Sequence, residues 1–173
     1  METIILSLIL IVSSATSIII TYLFLNKQSK RENQALKLEL KKSRQDFFLP
    51  NRVEAYQRLV LLMERISPNS LVMRLHNNNQ SKNEFQAELL QTIRNEFEHN
   101  IAQQLFISPK TWEITKNAKE ETIKIINLAA NQLDNESTST ALASKVFEIT
   151  SEIKSFPTEA AILSLKTELQ ELF

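Results

Sequence analysis

Few side chains in this sequence have the spacing that chemistry needs. Two histidines are present, His76 and His99, and there is no cysteine. Residues 96–99, Glu-Phe-Glu-His, contain one Glu-x-x-His pair, which places a carboxylate and an imidazole on one helical face. A di-iron bundle needs two such pairs and two further carboxylates. The second pair is missing, because Met73 stands three residues before His76. His99 therefore reads as a partly exposed residue on a helix whose core face is Phe97 and Ile101. Serine catalysis would need a neighbouring base and an oxyanion hole, whereas the serines here fall mostly at helix caps or in an apolar stretch. The expected set of catalytic, cofactor-binding and metal-ligating residues is empty. No cofactor is expected, and the protein is not expected to be an enzyme. Glu96 with His99 is the one pair left for an unrecognised active site.

Composition narrows the field further. Glycine is absent from all 173 residues. A P-loop, a dinucleotide fingerprint and a nucleophile elbow each use glycine for a tight turn or a close backbone approach, so none occurs in its usual form. Hairpins with positive backbone angles lose their favoured residue too. A glycine-free chain rich in Leu, Ile, Ala, Glu, Lys and Gln points to helices. The 20 basic and 20 acidic residues balance, but unevenly along the chain: residues 1–45 carry seven Lys/Arg and three Glu, and residues 46–173 carry thirteen and seventeen. The second part is mildly acidic and lacks the basic face that phosphate binding requires, so no nucleic-acid partner is expected.

The elements begin with residues 4–25, IILSLILIVSSATSIIITYLFL, which hold no charge and no proline. A helix of this length matches a bilayer core of about 30 Å. The start, Met1-Glu2-Thr3, lacks the positive charge of a signal peptide, and residues 22–25 make a poor cleavage site. The expectation is a transmembrane helix. Seven Lys/Arg between residues 26 and 45 place the following segment on the cytoplasmic side. This implies a single pass in the inner membrane, with the N-terminus outside and the C-terminal domain in the cytoplasm. Ser13 and Ser17 share a face on which two spans could approach, although hydroxyls tolerated in a lone helix are the plainer reading.

Residues 26–48 have good helix formers and little apolar surface. They are expected to continue the span as a basic helical stalk, acting as topology determinant and spacer more than as a headgroup-binding segment. Residues 49–173 then read as an antiparallel helical bundle. The four prolines, Pro50, Pro68, Pro109 and Pro157, each precede a helical pattern. The expected helices cover 50–66, 68–75, 82–106, 109–133, 139–155 and 157–172. Ser81 with Glu84 has the spacing of a capping box. The third helix carries Phe85, Leu89, Ile93, Phe97, Ile101 and Leu105 as a stripe at spacing four. Pairs such as Glu54 with Arg58 fit solvated faces.

Residues 50–59 (PNRVEAYQRL), 64–68 (ERISP) and 94–108 (RNEFEHNIAQQLFIS), with the preceding anchor and stalk, carry a resemblance across most of the chain. The sequence resembles a family of small, uncharacterised, single-span bacterial membrane proteins. The resemblance implies the anchor-plus-helical-domain layout and a bacterial origin, and brings no activity or site residue.

The expected function is a membrane-anchored helical interaction or scaffold protein. Its expected partners are the lipid bilayer and a protein at the cytoplasmic face, with a homodimer also allowed. The alternatives are a stalk resembling the b subunit of a rotary ATP synthase and an enzyme with an unrecognised site. A stalk would need one uninterrupted coiled coil, which four prolines oppose.

Overall fold

The computed structural model describes residues 1–171, with residues 2–15 described by their backbone alone. The described residues form α-helices: α1 (Glu2–Ile66), α2 (Pro68–Leu75), α3 (Lys82–Asn100), α4 (Pro109–Asn131), α5 (Ser139–Glu152) and α6 (Pro157–Gln170), with a 3-10 turn at Ile101–Leu105. The chain divides into two compact units, Met1–Leu49 and Pro50–Phe173.

The expected membrane-spanning helix over residues 4–25 is overturned. Among the described residues, no helix is long and apolar enough to cross a membrane. The side chains described in that stretch are those of residues 16–25. Asn26, Lys27, Lys30 and Arg31 follow at once in the same helix. Residues 4–15 of the stretch lie outside the described side chains, and with them Ser13 of the supposed serine face. Single-pass topology, an outside N-terminus, an inner-membrane location and a cytoplasmic bundle all rested on that span and fall with it.

Pro50 also departs from expectation. It lies inside α1 instead of starting a helix. Its ring nitrogen has no hydrogen to give the carbonyl of Asp46, so one rung of the ladder is absent where the two units divide.

The second unit is a helical bundle around one core. From the last part of α1, Tyr56, Leu59, Leu62, Met63 and Ile66 enter it. Spacings of three and four put these residues on one face. Leu71 and Val72 of α2, Phe85, Leu89 and Ile93 of α3, Ala118, Ile126 and Ala129 of α4, Leu142 and Val146 of α5, and Ala161 and Leu165 of α6 complete it. Among α2 to α6, contacts are densest between α4 and α6.

Capping fixes several helix starts. Ser81 Oγ accepts from the Glu84 amide, and the Glu84 carboxylate accepts from the Ser81 amide at 2.9 Å, completing the capping box. Ser108 and Thr138 cap α4 and α5 through the amides of Thr111 and Ala141. Ser67 makes no such bond.

The third helix is shorter than its stripe suggests. The Asn100 side-chain amide donates to the Glu96 carbonyl at 2.8 Å, competing with the backbone ladder. The chain tightens into the 3-10 turn, and Ile101 and Leu105, expected in the core, are 48% and 79% exposed.

Candidate functional site

Two recesses flank α6. The first is polar and centres on Glu168. Tyr56 Oη, from α1, donates to Glu168 Oε1 at 2.7 Å. Ser108, at the start of α4, gives its amide to Oε1 and its hydroxyl to Oε2, both at 2.7 Å. Nearby, Arg52 Nε donates to the Phe106 carbonyl at 3.2 Å, and the Thr111 and Ser164 hydroxyls lie 3.1 Å apart. One carboxylate thus ties three helices. The recess beside it has a volume of about 630 Å³ and is lined by residues that include Arg52, Lys110, Thr111, Ser164 and Glu168.

Electrostatics show what this cluster can do. Burial pushes the Glu168 carboxyl up, but hydrogen bonds from Thr111, Ser108 and Tyr56 and from the Ser108 amide outweigh it and hold the group below its ordinary value. The amide end of α4 favours the anion further. Tyr56 is raised from 10.0 to about 12, first by burial and then by its bond to Glu168. A carboxylate so stabilised is a weak base for the Ser108 hydroxyl. Its oxygens already accept from the Tyr56 hydroxyl and from the Ser108 amide and hydroxyl. The chemistry of the cluster is that of a brace.

The second recess is apolar. Tyr56, Gln57, Val60, Leu61 and Glu64 of α1 face Leu165, Lys166 and Leu169 of α6 across a groove of about 390 Å³. Leu165 and Tyr56 form its buried floor, whereas Leu61 is 57% exposed. Glu64 stands on one wall and Lys166 on the other.

The residues singled out in the sequence lie elsewhere. Glu96 Oε1 pairs with Arg65 at 2.6 Å, and His99 is exposed. His76 lies 3.3 Å from the Thr140 hydroxyl and packs edge-on against Phe85. Among the described residues, no group of His, Cys, Asp and Glu could hold a metal ion. Trp112 is half-buried and stacks on Phe97 with ring centroids 5.2 Å apart, while Lys119 sits over the same Phe97 ring.

Lys82 was not foreseen. It is buried at the first turn of α3, and its ammonium donates to the Ala130 and Leu133 carbonyls and to Asn135 Oδ1. A cation here closes the carbonyl end of α4. Glu168 escaped notice as well, because a lone acidic residue near a C-terminus looks like surface charge. The only sequence signal was a serine before Pro109, marking the helix start that Glu168 meets.

The helices, core and recesses define the class: an all-α protein whose larger unit is a helical bundle. Within that class, the chain belongs to DUF7935, a family of unknown function whose model matches residues 2–172. The expected likeness to an uncharacterised family thus holds, while a single-span membrane nature is not shown. No curated protein and no solved structure matches the chain.

Proposed function

We propose that the chain is a helical interaction or scaffold protein, and that the second unit receives an amphipathic helix of a partner protein in the α1–α6 groove. The groove itself carries this reading: apolar floor, half-open top, and opposite charges at Glu64 and Lys166. Its walls suit a helix with apolar anchors at spacing three or four, a basic residue facing Glu64 and an acidic one facing Lys166. The bundle also favours this reading over a stalk built as one uninterrupted coiled coil, because the helices of residues 50–171 pack around one shared core. The Arg65 ion pair of Glu96 weighs against Glu96 and His99 as an active site.

The test places a photo-crosslinking residue at position 61 of the full chain in its native cells, with position 128 as an exposed control. One reproducible protein adduct is expected at 61. It should be lost with Val60→Asp and absent at 128. No adduct at 61, or the same adducts at both positions, rejects the groove as a docking site.

A further inference from the structure

Residues 26–49 belong to the first unit, and Leu36, Leu38, Leu40, Phe47 and Phe48 among them are open to solvent. Leu36 is 54% exposed, Leu40 51% and Phe47 71%. These three follow one another at spacings of four and seven, as in a coiled-coil seam. With Leu40 and Phe47 at heptad position a, and Leu36 at d, the register of the whole stretch is set. Asn26 and Asn33 then fall at a, and Ser29 and Ser43 at d. Upstream, the exposed Ile19 and Tyr22 continue the seam at a and d. Leu38 and Phe48 fall at f and b, outside it. The pattern stops at Pro50, which would be the next d.

The charges identify the partner. In this register Glu32, Glu39 and Asp46 occupy three successive g positions, and Lys30, Lys37 and Arg44 three successive e positions. In a parallel, in-register pair, each g residue faces the e residue five positions later in the other strand. Glu32 then meets Lys37 of a second copy, and Glu39 meets Arg44. Two-fold symmetry repeats both contacts along the other edge. An antiparallel pair would set g against g and e against e, bringing like charges together. The segment is therefore complementary to itself in one orientation.

The polar seam positions agree with this. Asparagine at a fixes register and strand number at a cost in stability. Asn33 already turns along the seam, its Nδ2 lying 3.4 Å from Ser29 Oγ.

We propose that residues 19–47 of α1 pair with the same residues of a second copy as a parallel, two-stranded coiled coil. This is independent of the groove reading, since it uses the first unit alone.

The lack of cysteine makes the register directly readable. In the full chain, Ser29→Cys and Ser43→Cys each place a thiol at d, and Gln34→Cys places one at the outward b position. Mild oxidation should link the first two into symmetric dimers and leave the third unlinked. Failure of both d positions to link, or equal linking at position 34, overturns the proposal. Sedimentation across a concentration series supplies the second arm. The unmodified chain should dimerise, and E32K/E39K should weaken dimerisation roughly tenfold with helix content unchanged by circular dichroism. Mixing E32K/E39K with K37E/R44E should restore a heterodimer. A chain that stays monomeric up to its solubility limit, or charge variants that dimerise as well as the parent, reject the coil.

Discussion

Glu168 and Tyr56 are coupled through a single hydrogen bond, and their shifts have opposite consequences for pH. The Glu168 value is lowered on folding. Its contribution is present above the ordinary carboxylate value and is lost as pH falls through the folded value. The Tyr56 value is raised from 10.0 to about 12. Its contribution is complete below pH 10 and is lost as pH rises toward about 12. The urea midpoint, followed against pH, should therefore fall at both ends. Tyr56→Phe should flatten the alkaline fall, and Glu168→Gln should reduce the acid one. A Tyr56→Phe variant with an unchanged alkaline limb would show that the hydroxyl is not held as described.

At the scale of elements, the ends of α3 and α4 meet. The capping box of Ser81 and Glu84 starts α3, and Lys82, one residue on, closes α4. The Lys82 amide also donates to the Ser137 carbonyl, and the Ser139 amide to the Gln80 carbonyl, which holds the 134–138 loop against the start of α3. Two substitutions should separate these roles. Ser81→Ala removes a cap and should cost about 1 kcal/mol. Lys82→Met fills similar space but strips the α4 carbonyls of their donor, and should cost roughly 1–3 kcal/mol. Equilibrium urea unfolding of the full chain checks both. Equal, negligible losses would mean that water replaces the ammonium.

At the scale of the molecule, the unit Pro50–Phe173 has its own core, running from Tyr56 to Leu165. A fragment of residues 50–173 should therefore remain helical and unfold in one cooperative transition. Circular dichroism against urea measures this. A broad, non-cooperative loss would show that residues 1–49 are needed to complete the fold. A unit of this size has enough interior to be stable, and exposed ion pairs such as Glu54 with Arg58 contribute little.

The sequence by itself determined helix identity, several helix ends and most of the core. A glycine-free composition removes the residue that turns and loops favour. The 3.6 period marks the buried face of each helix, as Tyr56, Leu59, Met63 and Ile66 show. Ser81 with Glu84 is a local signal, because a capping box is made within four residues. Non-local partners decided the rest. Only the fold brings Glu168 to Ser108, sixty residues apart, and so turns a surface-like charge into a brace. Only the fold covers Lys82 with the end of α4, because burial depends on which helix arrives, not on the residue's own polarity. Hydropathy also overreached: residues 4–25 suggested a membrane span, while among the described residues no helix is long and apolar enough to cross one. A hydrophobic run records a preference for leaving water, and the tertiary or quaternary structure decides where that preference is met.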